Sequence, residues 1–258
     1  MGVIAIILAG GYAKRLWPLT RDKPKPLLPV AGRPIIEYIL DKLNSLSEVE
    51  HIIISTNLRF ENYFRGFAAR NYSVEIIADR SRCEEEKPGA VAALAEITSN
   101  IHSDCLIIAG DNLFTADLRG MINFYREKLS PIVALYDVGE KELAKHYAAV
   151  LLDKDGRIID FEEKPQQPKT TLIGTCIYIF PERILSRLRE YVEEGLERDQ
   201  PGKFIEWLHR REAVYGYVLN GYWWDIGTEE SYNKANKFFL NITHPNRNTN
   251  PQISISSL

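Results

Sequence analysis

A pair of glycines and a group of cations directly follow the first apolar run of the chain. Gly10 and Gly11 could let backbone N–H groups approach a polyphosphate closely. Arginine offers phosphate oxygens a planar fork, and lysine offers a point charge. The cations of this stretch are Lys14, Arg15, Arg21, Lys23 and Lys25. The pattern indicates a phosphate-binding loop, with a solvated basic loop beside a glycine turn as the alternative. It matches neither the dinucleotide fingerprint nor the Walker A loop.

Two aspartates follow apolar stretches at points where a ligand could bind. Asp111 comes after a predicted strand at residues 105–109, and Asp225 follows Trp223 and Trp224. Ligands of open α/β sheets bind at the carboxyl ends of the strands. A carboxylate beside a polyphosphate is a natural Mg²⁺ ligand, because Mg²⁺ takes one or two carboxylates together with phosphates and water. An aspartate that caps the following loop is the alternative at both positions.

A charged tripeptide, Glu163-Lys164-Pro165, follows a predicted strand at residues 158–161. Its carboxylate could accept hydrogen bonds from sugar hydroxyls, and its ammonium could reach a sugar phosphate. An exposed charged turn would have the same composition.

The elements that must position these residues follow an α/β pattern. Short runs of branched apolar residues predict strands at residues 3–8, 51–55, 74–77 and 105–109. Helices are predicted between them, from Pro34 onward and at residues 60–69 and 89–98. This alternation predicts a Rossmann-like, mostly parallel sheet flanked by helices.

The second half of the chain has a mixed pattern. Strands are predicted at residues 132–138, 148–152, 158–161, 173–180 and 214–219, with helices at 181–193, 203–210 and 228–239. Asp155-Gly156 predicts a hairpin turn. We expect residues 1–240 to form a single domain and residues 241–258 to form a polar, frayed tail.

Composition excludes several classes of protein. The chain has 258 residues, of which 45% are apolar, and a net charge of −3. A balance this even gives no global attraction to nucleic acid or to an anionic membrane. The cysteines Cys83, Cys105 and Cys176 are too scattered for a disulfide framework or a zinc cluster. Neither a membrane-spanning run nor a signal peptide is evident, so we expect a cytoplasmic protein.

Taken together, the motifs resemble those of the nucleotidyltransferases that make nucleotide-sugars, the NDP-sugar pyrophosphorylases, which include glucose-1-phosphate thymidylyltransferase. The resemblance covers roughly residues 3 to 240. It rests on several separated motifs in the family's order: Leu8-Ala9-Gly10-Gly11, Arg15-Leu16, Lys23-Pro24-Lys25-Pro26, Gly110-Asp111-Asn112, Glu163-Lys164-Pro165 and Trp224-Asp225-Ile226-Gly227. It implies a nucleotide-binding half at about residues 1–130 and a mixed α+β sugar-binding half at about residues 131–240.

The resemblance implies an enzyme that joins a nucleoside triphosphate (NTP) to a sugar 1-phosphate and releases pyrophosphate. The glycine pair would hold the triphosphate through backbone amides, and Arg15 would neutralise the departing pyrophosphate. Lys25 would bridge the α-phosphate and the incoming phosphate. Asp111 and Asp225 would hold Mg²⁺, the expected cofactor.

The resemblance also implies residues for the two organic parts of the substrates. In the sugar-binding half, Glu163 would orient the sugar and Lys164 would anchor its phosphate. The remaining sugar-site residues would be Ala148 and Gly174. Residues implied on the nucleotide side, besides the glycine pair, are Leu8, Lys14, Glu86 and Gly89, with Gly89 near the base.

Several departures from the family pattern leave the base and the sugar open. Ala13-Lys14 stands where relatives usually carry Gly-Thr, Tyr147-Ala148 replaces Tyr-Gly, and Cys176 replaces a glycine. The base-side segment, residues 83–89, carries three consecutive glutamates and lacks the usual glutamine. We expect dTTP or UTP and glucose 1-phosphate as substrates. The alternatives are a cytidylyltransferase acting on phosphocholine and a non-catalytic regulatory subunit that binds nucleotide-sugars. A homo-oligomer, dimer or tetramer, is compatible with the resemblance.

Overall fold

The computed structural model describes residues 2–70 and 72–243. Within those ranges it contains thirteen strands: β1 (Val3–Leu8), β2 (Pro29–Val30), β3 (Arg33–Pro34), β4 (Val49–Asn57), β5 (Glu75–Asp79), β6 (Asp104–Ala109), β7 (Asn112–Phe114), β8 (Ile132–Asp137), β9 (Ala148–Leu152), β10 (Ile158–Glu163), β11 (Leu172–Phe180), β12 (Tyr215–Val218) and β13 (Trp223–Asp225).

Eight α-helices lie in the same described part of the chain: α1 (Ile35–Asn44), α2 (Glu61–Ala68), α3 (Ala90–Ile97), α4 (Arg119–Lys128), α5 (Lys141–Ala144), α6 (Glu182–Glu193), α7 (Pro201–Leu208) and α8 (Glu229–Thr243). Among them, none has the length and apolar character needed to cross a membrane.

The central sheet has the predicted division into a parallel and a mixed half. Its strand order is β10-β9-β11-β6-β1-β4-β5, and β8 pairs with β11 and β12. Strands β6, β1, β4 and β5 run parallel, whereas β11 is antiparallel to β6. Leu8 at the end of β1 is in register with Ser55 on one side and Ala109 on the other. The segments that carry Gly10 and Asp111 therefore leave the sheet at one edge.

Helices cover both faces of the sheet, as the alternating pattern predicts. Ala5 and Ile7 of β1 face a core that includes residues of α1, α2 and α4. Ile6 faces the opposite core, which includes residues of α3, α6 and α7. Alternate residues of a buried parallel strand thus contribute to two separate apolar layers.

A third core fixes the cationic loop to the last helix. Leu16 and Leu28 of the loop pack with Trp224 and with Phe239 of α8. Asn236 of α8 accepts a hydrogen bond from the backbone of the loop at 2.8 Å. The loop after β1 is consequently held in place by the C-terminal helix.

The structure contains elements that the sequence patterns do not predict. Helix α4 has only three buried residues, Met121, Ile122 and Tyr125, so its apolar stripe is short. Strands β7 and β13 form a separate two-stranded ribbon, and three residues are too few to show an alternating pattern. Helix α8 continues to Thr243, so the first residues of the expected tail are helical. The tail beyond residue 243 lies outside the described residues.

Candidate active site

The β7–β13 ribbon brings the two aspartates together. Asn112, the neighbour of Asp111, is in register with Asp225. The carbonyl oxygen of Asp111 accepts a hydrogen bond from Ile226 N at 3.3 Å. The Asn112 side chain locks the ribbon to the main sheet, because it accepts from Trp223 Nε1 at 2.8 Å and donates to the Thr175 carbonyl at 2.8 Å. Backbone register thus fixes the distance between the carboxylates.

The predicted phosphate-handling charges surround this pair of carboxylates. Lys25 Nζ lies 2.5 Å from Asp111 Oδ2. Burial raises the pKa of the Asp225 carboxyl, and the charge of Asp111 raises it further. Three cations oppose that shift: Lys25, Arg15 and Lys164. Asp225 is therefore close enough to Asp111, Lys25, Arg15 and Lys164 to be influenced by the charge of each.

The two carboxylates fit a Mg²⁺ ion. They are oxygen donors, and they lie close enough together that, after burial, the charge of Asp111 raises the pKa of Asp225. In the described part of the chain, no group of three or more His, Cys, Asp and Glu residues is arranged to hold a metal. Two carboxylates are nevertheless enough for Mg²⁺, which completes its coordination with phosphate oxygens and water.

The glycine pair lies at the start of a loop that is hydrogen-bonded to the sheet on one side and has open space on the other. Asn57 Nδ2 donates to the carbonyl oxygen of Gly10 at 2.9 Å. The carbonyl oxygen of Leu8 accepts from Gly110 N at 2.8 Å, which ties this loop to the Asp111 segment. A Cβ placed on Gly11 would meet no atom within 4 Å. Packing within the protein therefore does not require a glycine at position 11, and the space above it is free for a ligand.

Adjacent residues of the cationic loop point to different parts of the site. A Cβ placed on Gly227 would lie 3.2 Å from Asp225 Oδ2 and 3.9 Å from Arg15 Nη2, so the Arg15 guanidinium lies near Asp225. Lys14 instead reaches the base-side segment, where its ammonium lies 2.8 Å from Glu84 and 3.1 Å from Glu85. Lys14 and Arg15 thus serve separate regions.

The base-side residues are held by contacts of their own. The Glu86 carboxylate accepts a hydrogen bond from Arg82 N at 2.8 Å. Gly89 has φ +93°, and a Cβ on it would lie 2.5 Å from the carbonyl oxygen of Arg198. Since that contact and conformation both exclude a side chain, the structure gives Gly89 a packing reason to be glycine, besides the base contact implied by the resemblance.

The predicted sugar-site residues are neighbours in the sheet. Ala148 of β9 is in register with Glu163 of β10 and with Gly174 of β11. The Glu163 side chain is only 11% exposed, and burial raises its pKa. Lys164, in the left-handed region at φ +51°, directs its ammonium to within 3.2 Å of Gln200 Oε1. The structure therefore gathers all four residues of the expected sugar site.

Sequence reasoning missed several residues that border the site. Burial, followed by the charges of Asp225 and Asp111, raises the pKa of Tyr147 to about 12. A Cβ on Gly202 would overlap the Glu163 carboxylate, so α7 approaches the sugar site closely. Glu206 of α7 accepts from Glu163 N at 3.2 Å. Tyr147 could have been found as the neighbour of Ala148, whereas Gly202 and Glu206 carry no motif.

The sequence of the chain is similar to the sequences of known proteins. The family model for nucleotidyl transferase matches residues 4–242. The chain is 31% identical to the bifunctional protein GlmU of Methanocaldococcus jannaschii, over 92% of this chain and 54% of that protein. It is 30% identical to the mannose-1-phosphate guanylyltransferase of Mycobacterium tuberculosis, over 89% and 62%. The chain thus spans little more than half the length of these curated relatives.

Solved structures share the fold. A candidate glucose-1-phosphate thymidylyltransferase from Bacillus anthracis superposes with a TM-score of 0.81 at 25% identity, covering 93% of this chain and 96% of that one. A UDP-glucose pyrophosphorylase superposes with a TM-score of 0.78 at 22% identity, covering 94% and 100%. These structures share the fold, and the family match over residues 4–242 shows that the chain belongs to the nucleotidyl transferase family.

Proposed function

We propose that the protein transfers a nucleotidyl group from an NTP to a sugar 1-phosphate, forming an NDP-sugar and pyrophosphate. The observation that carries the proposal is the convergence of Asp111, Asp225, Arg15, Lys25 and Lys164 at the edge of the sheet where the glycine loop begins. Such a site is suited to phosphate chemistry, because it combines a place for a divalent cation with three cations.

The reaction needs positioning and charge neutralisation more than proton transfer. The attacking phosphate oxygen is already anionic near neutral pH, so no general base is required. Lys25, which contacts Asp111, would hold the α-phosphate against the incoming phosphate, and Lys164 would anchor the latter. Arg15 would neutralise the pyrophosphate as it leaves. When bound by Asp111 and Asp225, Mg²⁺ would supply charge neutralisation at the α-phosphate.

The sugar would lie against the three adjacent strands that carry Ala148, Glu163 and Gly174. The buried Glu163 carboxylate would accept hydrogen bonds from sugar hydroxyls, and the small residues Ala148 and Gly174 lie beside it on the neighbouring strands. Of the substrates, we propose dTTP or UTP and glucose 1-phosphate. The likeness to the candidate thymidylyltransferase, which covers nearly all of both chains, supports dTTP and glucose 1-phosphate.

A pyrophosphate-release screen tests this proposal. Each of the common NTPs is paired with a panel of sugar 1-phosphates and with phosphocholine, in the presence of Mg²⁺. GTP and ATP belong in the screen because two curated relatives are a guanylyltransferase and an adenylyltransferase. We expect release that depends on both a sugar 1-phosphate and the metal, and that Asp225→Asn lowers by about a hundredfold or more. Release with phosphocholine alone would favour the cytidylyltransferase, and no release with any pair would favour a binding subunit.

A further inference from the structure

Two departures from the family pattern meet in the structure. Lys14 stands where relatives usually carry a threonine, and Glu84-Glu85 belong to the run of glutamates in the base-side segment. The Lys14 ammonium lies between them, 2.8 Å from Glu84 Oε2 and 3.1 Å from Glu85 Oε1. The single positive charge of Lys14 therefore offsets part of the negative charge that the glutamates bring to this place.

The contact spans the nucleotide-binding region. One partner belongs to the short 3₁₀ turn Lys14–Leu16 after the glycine pair, and the others belong to the turn Glu84–Glu86 that precedes Gly89. Lys14, Glu84 and Glu85 line one cavity of about 190 Å³ together with the rings of Tyr12 and Trp17. An ion pair at this place connects the loop expected to bind phosphate with the segment expected to bind the base.

From this geometry, and on the basis of the proposed function, we infer that Lys14 and Glu84-Glu85 form a clasp that closes the empty nucleotide site and that the triphosphate opens. In the closed state Lys14 binds the two carboxylates. When an NTP binds, Lys14 exchanges them for phosphate oxygens, so the carboxylates compete with the nucleotide for one cation.

The surroundings make such an exchange feasible. Lys14 is 47% exposed and Glu85 is 73% exposed, so both can leave their partners without burying an unpaired charge. Glu84 retains a second cation, because Lys87 Nζ lies 3.5 Å from its other oxygen. Lys87 is itself held 2.7 Å from Asp199. The pKa of Glu84 is lowered by its bond to Lys14, which agrees with a stable closed pair.

A double-mutant cycle on NTP binding tests the clasp. Equilibrium dialysis measures the Kd of dTTP, or of the NTP identified by the screen, without sugar 1-phosphate. The variants are Glu84→Gln/Glu85→Gln, Lys14→Met and their combination, each at low and high ionic strength. Glu142→Gln/Glu190→Gln is the matched control, because it also removes two carboxylates from exposed ion pairs, with Lys145 and Arg187 respectively. Thermal unfolding checks that every variant is folded.

We expect Glu84→Gln/Glu85→Gln to tighten NTP binding roughly two- to tenfold at low salt, because it frees Lys14. The gain should be absent in the Lys14→Met background, small at high salt and absent in the control. Equal tightening with and without Lys14 would show bulk repulsion and overturn the clasp. Unchanged or weaker binding would also overturn it, while leaving the proposed function intact. If the wild-type protein bound no NTP, the proposed function itself would fail.

Discussion

The aspartate centre and the base side of the site are held in place by different forces. Asp111 and Asp225 are fixed by the register of the β7–β13 ribbon and by the buried hydrogen bonds of Asn112. On the base side, Lys14, Glu84 and Lys87 are joined by partly exposed ion pairs. Buried backbone pairing tolerates little change, whereas exposed pairs contribute little to stability and can be exchanged. The aspartate centre should therefore be sensitive to substitution, whereas the base side should tolerate changes of charge.

The largest effect should come from the aspartate centre. Asp111→Asn and Asp225→Asn should each lower turnover by about a hundredfold or more, because each removes one charge from the expected metal site. The thermal midpoint should not fall for Asp225→Asn, since that change relieves repulsion between the two carboxylates. Steady-state kinetics in Mg²⁺ and a thermal melt measure both quantities. Full activity of either variant would show that the aspartate centre tolerates change as readily as the base side does.

The adjacent cations of the loop should differ in the next largest effect. Arg15→Ala should lower kcat and kcat/KM together, because Arg15 lies near Asp225 and would act on the leaving pyrophosphate. Lys14→Thr should raise only the KM for NTP, by roughly tenfold or less, with a smaller effect at high salt. Kinetics at two ionic strengths separate the two patterns. If Arg15→Ala had nearly normal kinetics and Lys14→Thr were inactive, the roles assigned to Arg15 and Lys14 would be reversed.

Glu163 tests whether the sugar site is separate from both regions. Glu163→Gln should raise the KM for sugar 1-phosphate by roughly ten- to a hundredfold and leave that for NTP nearly unchanged. Burial raises the pKa of Glu163, so its carboxylate is protonated at a higher pH than that of an exposed glutamate. Sugar 1-phosphate binding should therefore begin to weaken at that higher pH as the solution is acidified. The sugar phosphate also titrates in this range, so the Gln variant provides the baseline. An equal rise in both KM values would argue for a structural role.

The smallest expected effects are changes in the free energy of unfolding. They compare the close packing at Gly89 with the ion pairs of Lys87. Gly89→Ala should lower the free energy of unfolding by about 1–3 kcal/mol, because a Cβ would meet the Arg198 carbonyl at a positive φ. Lys87→Gln should cost less than about 1 kcal/mol, since its partners are partly exposed. Urea unfolding of both variants gives the comparison. If Lys87→Gln proved the more harmful, the ion pairs would be structural and the clasp could not open freely.

Most of the fold could be predicted from the sequence, because its strands are short runs of branched apolar residues with clear ends. Strands Val3–Leu8 and Ala148–Leu152 have the predicted bounds, and the helix predicted from Pro34 onward is α1, which begins at Ile35. Helix α4 was missed because its apolar stripe consists of only three residues. The β7–β13 ribbon was missed because its pairing joins short segments far apart in the chain.

The site was predictable to the extent that its residues lie in motifs. Asp111, Asp225, Glu163 and Lys164 were found as charged residues at the ends of apolar segments, and the structure brings them close to one another. Their partners were not predictable in the same way. Gln200 reaches Lys164 only through the packing of α7 against β10, and no local pattern in the sequence encodes that contact.

The central claim is that the Asp111–Asp225 centre catalyses transfer of a nucleotidyl group to a sugar phosphate. A ³¹P NMR time course, with Mg²⁺, an NTP and a sugar 1-phosphate identified in the screen, tests it most directly. We expect pyrophosphate and a sugar-linked diphosphate to appear in equal amounts as both substrates disappear, and neither to form with Asp225→Asn. Pyrophosphate that forms without consumption of the sugar phosphate, or equal rates for wild type and Asp225→Asn, would contradict the account.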